Sequence, residues 1–156
     1  MQRTLVLLKP DAVQRRLIGR LIARFEDKGA KIVAMKMQNV APALARRLYK
    51  VHQGKDFYAE LVRFITSGPV VAMVLEGVDV IAIVRRMIGS TFGPEAQAGT
   101  IRGDFGASRR FNVVHASDSA ASARTEIALF FPKSQRVQYD LCGVEWLYAR
   151  DDGRLI

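Results

Sequence analysis

The chain is short of the residues that most often build catalytic centres. It has one cysteine, Cys142, and two histidines, His52 and His115, in 156 residues. A single cysteine excludes an intramolecular disulfide and any zinc site made from a cysteine cluster, and it suits a reducing compartment. So few histidine and cysteine ligands argue against a protein-held metal, and no side chain is assigned to one. No apolar stretch approaches the roughly 20 residues of a membrane span, and the run in MQRTLVLLKPD is too short for a signal-peptide core. A soluble, cytoplasmic protein is expected. The chain contains no G-x-x-x-x-G-K-[ST] and no G-x-S-x-G, which removes the P-loop and the serine nucleophile elbow. It also lacks repeats, low-complexity tracts and linkers, so residues 1–156 are expected to form one domain.

Acidic residues are scarce as well. Lys and Arg number 24 against 15 Asp and Glu, a net charge of +9. Residues 1–78 carry 14 basic against 6 acidic side chains, or +8; residues 79–156 carry 10 against 9, or +1. Such an excess suits an anionic partner such as nucleotide phosphates, nucleic acid or an acidic surface. Solvated helix faces account for it equally well. In QRRLIGRLIARFEDKG, Leu17, Ile18, Leu21, Ile22 and Phe25 form an apolar stripe at helical spacing, leaving Arg15, Arg16, Arg20 and Arg24 on other faces.

What is present alternates between strand and helix patterns. TLVLL (4–8) predicts a buried strand, followed by the helix just described, which ends at Gly29. KIVAMKMQ (31–38) predicts a second strand, and Pro42 opens a helix through about Lys50. Asp56 is placed to cap another helix. GPVVAMVLEG (68–77), apolar throughout, predicts a strand central in its sheet. A helix runs from Asp79 to near Gly89, FNVVHA (111–116) makes a fourth strand, and SDSAASARTEIALFF the last substantial helix. The order β-α-β-α-α-β-α-β-α is close to a split βαβ arrangement with a helical insertion. Residues 89–110, with five glycines and no clear periodicity, read as a functional loop; Thr91, Arg102, Arg109 and Arg110 make it a candidate anion binder.

His115 stands where an apolar strand ends and a helix starts within three or four residues. Free N–H groups and the helix dipole favour phosphate at such a place. A neutral imidazole is a competent nucleophile at neutral pH without an activating base. Asn112, Ser117 and Asp118 flank it, and Glu126, on the following helix, is positioned to fix its tautomer and orientation.

NVVHASDS closely resembles the N-x-x-H-G-S-D signature of the nucleoside diphosphate kinases. The resemblance continues, in register, through LVLLKPDAVQR, SGPVVAMVLEG, GTIRGDFG, Glu126-Ile127 and YDLCGVEWLYA, and so covers nearly the whole chain. It implies a ferredoxin-like βαββαβ fold of the α+β class, with a four-stranded antiparallel sheet, helices packed on it and a helical insertion. It implies transfer of a γ-phosphoryl group from a nucleoside triphosphate, typically ATP, to a nucleoside diphosphate. His115 would be the phosphorylated residue in a ping-pong reaction with broad base use. Glu126 and Ser117 would hold His115; Lys9 and Asn112 would bond the sugar hydroxyls, with Lys9 also near the transferred phosphate. Arg85, Thr91 and Arg102 would bind phosphates, Tyr49 would lie beside the phosphates and His115, Phe57 would stack on the base, and Leu61 would line that slot. His52 falls where members of the family differ and is left outside this set. Mg²⁺ would arrive chiefly on the substrate phosphates.

Three departures from the pattern stand out: Ala116 in place of glycine, the basic pair Arg109-Arg110, and Gly93-Pro94 in the glycine loop. The segment from about 131 to 156, with Trp146 and Tyr148, resembles the longer tail of hexameric members; it implies subunit contacts and a homo-oligomer, a hexamer rather than a tetramer. Residues 151–156 are expected to fray. Two other readings stay open. A nucleic-acid-binding protein on a kinase scaffold is prompted by the pI of about 10.2, yet no stripe of interleaved aromatic and basic residues supports it. A catalytically dead interaction subunit is disfavoured because every matched catalytic position is filled.

Overall fold

The computed structural model describes residues 1–151 and 154–156. The apolar runs become one antiparallel sheet of four strands: β1 (Gln2–Leu8), β2 (Lys31–Asn39), β3 (Pro69–Gly77) and β4 (Val114–Ala116). Their spatial order is β2-β3-β1-β4, the expected ferredoxin-like arrangement. β1 and β3, the most continuously apolar segments, take the central positions, where both faces are covered. Residues 5–8 and 70–75 are all buried. β2, at an edge, alternates instead: Val33 is buried while Met35 and Met37 are exposed, beyond a bulge between Ile32 and Ala34. The C-terminal segment covers part of that edge. Val137 donates its N–H to the Val33 carbonyl (2.8 Å), and the Tyr139 hydroxyl donates to the Ile32 carbonyl (2.9 Å).

The apolar stripe predicted within residues 14–29 forms α2 (Ile18–Asp27), and a separate short helix that the sequence does not suggest, α1 (Pro10–Gln14), precedes it. The two are separated by a turn in which Arg16 has φ of 57°. That turn redirects the chain so that Leu17, Leu21 and Phe25 all reach the core. α3 (Pro42–Leu48), a 3₁₀ turn (Lys50–His52) and α4 (Tyr58–Ile65) form the insertion. Asp56 does not cap α4. Phe57, at the N-cap, already has helical dihedrals, so the extended conformation that side-chain capping requires is absent.

α5 (Val80–Ile88) follows the expected bounds closely, packing on β1, β3 and β4. The loop 89–110 holds more order than its composition suggests: a 3₁₀ turn (Gly93–Glu95) and α6 (Ile101–Phe105), capped by the Thr100 hydroxyl. Two of its glycines are steric requirements. A Cβ on Gly93 would sit 1.9 Å from the Gly106 carbonyl oxygen, and one on Gly103 2.1 Å from that of Gln97. β4 begins at Val114 rather than at Phe111, because a turn at Asn112–Val113 interrupts the extended chain. α7 (Ala120–Phe130) starts five residues after His115, behind the Ser119 cap, whose hydroxyl accepts from the Ser122 N–H. After a 3₁₀ turn (Lys133–Gln135) and α8 (Val144–Leu147), β5 (Arg150–Asp151) pairs with β6 (Arg154–Leu155). The end expected to fray therefore carries a short ladder on either side of residues 152 and 153, which lie outside the described residues.

Candidate active site

His115 lies in β4, opposite Leu7 of β1. Its Nε2 is 2.9 Å from Oε2 of Glu126, which also accepts from the Ser117 hydroxyl at 2.7 Å. Ser117 is fixed in turn by the Leu5 N–H, which donates to its Oγ (3.3 Å). A carboxylate only accepts, so the ring proton belongs on Nε2 and the lone pair on Nδ1, which has no hydrogen bond among the described residues. The arrangement leaves one basic nitrogen directed by a rigid strand, a helix and a buried serine.

The second wall is the approach to β4. Asn112 Oδ1 accepts from Lys9 Nζ (2.7 Å), and its Nδ2 donates to the Thr91 carbonyl (2.8 Å). Val113 follows with φ of 56°, a left-handed conformation that costs a β-branched residue about 1–3 kcal/mol. Arg102, in α6, braces this turn. It donates from Nε to the Asn112 carbonyl (3.2 Å), from one Nη to the Val114 carbonyl (2.8 Å), and from the other to the Gly89 and Ser90 carbonyls (3.1 Å each). Four of its five N–H groups are thus committed to backbone. Burial, then the charge of Arg85, brings its guanidinium down to about 10. Burial first, and Arg102 second, lower the Lys9 ammonium to about 8, against a smaller upward pull from Asp11. These cations lie together, largely out of water, with little anionic charge to balance them.

The third wall comes from the helical insertion. The Tyr49 ring meets His115 edge-on at 6.1 Å between centroids; His52 lies 6.3 Å from Tyr49 and 5.5 Å from Phe57. The Tyr49 hydroxyl is buried with no partner among the described residues, and burial, aided by the Glu126 charge, pushes it well above the usual phenol range. It is therefore a proton donor held without an acceptor. Phe57 is half exposed, and Leu61, one turn further along α4, packs on the core edge. Arg85 of α5 donates to the carbonyl of Ala116 (3.4 Å), the residue after His115 in β4.

A family model described as nucleoside diphosphate kinase matches residues 2–136. The chain belongs to the nucleoside diphosphate kinase family. A nucleoside diphosphate kinase of Saccharolobus islandicus is 55% identical over 134 residues, covering 86% of this chain and 97% of that one. One from Rhodopirellula baltica is 53% identical over 152 residues, covering 97% and 100%. Among solved structures, a halophilic nucleoside diphosphate kinase from Halobacterium salinarum in complex with CDP superposes with a TM-score of 0.93, at 44% identity over 95% of this chain and 99% of that one. The chain is accordingly a phosphotransferase, a nucleoside-diphosphate kinase that binds nucleotides.

In this kinase most of the residues singled out from sequence fall into neighbouring groups. His115, Glu126 and Ser117 form one hydrogen-bonded group, Lys9, Asn112, Thr91 and Arg102 another, and Tyr49 joins the first group to Phe57 through His52. Thr91 enters through its carbonyl, and Arg102 is more deeply committed to the fold than a phosphate ligand need be. Leu61 has no direct link to His115. Sequence reasoning missed Asp11, whose Oδ2 accepts from the Val113 N–H at 3.0 Å. No local signal marks a bond across 102 residues, although Asp11 stands in the quoted LKPD segment.

Proposed function

We propose that the kinase works by a ping-pong reaction through phosphorylated His115. The observation that carries this is the Nε2 contact to Glu126, which leaves the Nδ1 lone pair without a hydrogen-bond partner among the described residues. Nδ1 attacks the γ-phosphorus of a nucleoside triphosphate; the bond from that phosphorus to the β–γ bridging oxygen breaks, and the electron pair leaves with the diphosphate. Glu126 keeps the proton on Nε2 and balances the positive charge the ring gains. The reverse step on a second diphosphate regenerates the imidazole. A phosphoramidate is itself a high-energy bond, so both halves stay near thermoneutral.

Lys9, Arg85 and Arg102 supply charge to the phosphates, with the Thr91 hydroxyl and the unpartnered Tyr49 hydroxyl as further donors. Lys9 and Asn112 take the sugar hydroxyls. Phe57 provides a stacking face beside Leu61, and one ring without a hydrogen-bonding pocket discriminates little between bases. CDP in the halobacterial relative fits a nucleoside diphosphate as acceptor. No three His, Cys, Asp or Glu side chains gather as a cage among the described residues. Mg²⁺ would accordingly be held by the substrate's phosphates and water, where it supplies charge neutralisation.

We also propose a homo-oligomer, a hexamer rather than a tetramer. The C-terminal segment from about 131 leaves Trp146 89% exposed, and Met35 and Met37 stand bare on the β2 edge, all surfaces that a subunit contact would cover. No described helix is long and apolar enough to cross a membrane, and we place the enzyme in the cytoplasm. The basic excess carries no argument for nucleic acid beyond charge.

The test is to mix the protein with ATP and Mg²⁺ and seek an acid-labile, base-stable phosphoprotein that converts GDP to GTP. If His115→Ala transfers phosphate at the parental rate, the mechanism is wrong. Light scattering on a size-exclusion column reads the oligomer directly.

A further inference from the structure

Val113 is the one residue in the approach to His115 whose backbone conformation opposes its side chain. It is β-branched, fully buried and left-handed at φ 56°. The Val114 N–H reaches back to the Asn112 carbonyl at 2.6 Å, two residues away, closing a three-residue turn of the strained, positive-φ kind. Everything decisive hangs on that turn. Asn112 faces Lys9 and Thr91 before it, and β4 carries His115 to Glu126 after it. A local sequence of this kind would relax toward extended backbone unless other groups over-determined it.

Arg102 braces the carbonyls on either side of Val113, and Asp11 adds the constraint on Val113 itself. Asp11 is buried, and its Oδ2 accepts from the Val113 N–H at 3.0 Å, while the Lys9 N–H donates to the Val113 carbonyl at 2.9 Å. Both backbone polar groups of Val113 are therefore held, one by Lys9 between β1 and α1 and the other by Asp11 in the first turn of α1. Asp11 Oδ1 is buried and has no partner among the described residues. A buried carboxylate with an unsatisfied oxygen is a poor choice if stability alone were at stake.

We propose that Asp11 is a positioning residue for phosphoryl transfer: its carboxylate holds Val113 in the left-handed turn that sets Asn112 and His115 toward the same nucleotide. The inference rests on His115 being the phosphoryl acceptor. Asp11 itself does not touch the reacting atoms.

The test measures single-turnover phosphorylation of His115 by saturating ATP, per mole of protein shown to be folded by circular dichroism. Misplacing a reacting group by about 1 Å can cost on the order of 100-fold in rate; a loss of that order is expected for Asp11→Ala, with KM for ATP changing much less. Asp11→Asn keeps an acceptor oxygen for the Val113 N–H and is expected to retain most of the rate. In a Val113→Gly background the left-handed turn no longer strains the side chain, so Asp11→Ala should there cost only a small fraction of its effect in the parent. An equal loss in both backgrounds overturns the proposal, as does an Asn variant as slow as the Ala variant, or an Ala variant with a lower melting point but the parental rate. If the parent protein forms no phosphohistidine, the proposed function has failed instead, and the two failures are distinguishable.

Discussion

The two ends of the candidate site are built on opposite principles. At the phosphate end, Lys9, Arg102, Asn112 and Ser117 are all buried, and each is fixed by hydrogen bonds to backbone or to another side chain of the site. At the proposed base end, Phe57 is 50% exposed, flanked by His52 and by the Lys55 ammonium at 5.7 Å, with no hydrogen-bonding wall among the described residues. Preorganised charge is effective where water is excluded and the reacting geometry must be fixed. Stacking needs only a flat face and tolerates any base. The contrast matches the proposed reaction, strict about phosphorus and permissive about nucleobase.

The contrast can be broken first at its rigid end. Glu126→Gln should lower the rate of phosphoenzyme formation on the order of 100-fold, since the tautomer and orientation of His115 are no longer imposed. Nucleotide affinity, measured by calorimetry, should barely change; a parental rate would mean that the Glu126 contact to His115 is ornamental. At the open end the pattern should invert. Phe57→Ala should weaken binding by about 1–3 kcal/mol for adenine, guanine and cytosine nucleotides alike, with the chemical step at saturation nearly intact. Loss confined to one base would place a specific pocket where only a platform is described.

Acidity offers a third probe. Lys9 is held at about 8, so it carries its charge below that pH and sheds it above. kcat/KM should therefore fall on the alkaline side from about pH 8, approaching tenfold per unit, while Lys9→Arg should move that fall to higher pH. A flat profile to pH 10 would remove Lys9 from phosphate binding. The smallest effect is expected at Lys55→Ala, which removes a cation near the exposed Phe57 ring and should cost about 0.5–1 kcal/mol in nucleotide affinity. A larger loss would mean that Lys55 contacts phosphate directly.

Much of the fold was legible because it follows from continuous apolar runs. β1 and β3 lie where LVLL and VVAMVL require burial on both faces, and α7 begins where Ser119 can cap it. Features set by distant partners were not legible. The short α1 before the turn at Arg16, the uncapped start of α4 and the shortening of β4 at Val113 all depend on contacts outside their own segments. α6 was hidden because five residues give too little periodicity, and glycine at 93 and 103 reads as looseness when it is in fact a tight fit.

The amino-acid sequence by itself determined the sheet, the helix that bears Glu126, and the identity of the groups able to carry phosphate chemistry. These depend on hydrophobic period, capping and side-chain type, all of which are local. Tertiary structure alone decided which nitrogen of His115 is left open, how far Lys9 departs from its ordinary acidity, and that Asp11 meets Val113. Those properties arise from burial and from bonds spanning many residues, and the energies involved exist only once the separated segments have been brought together.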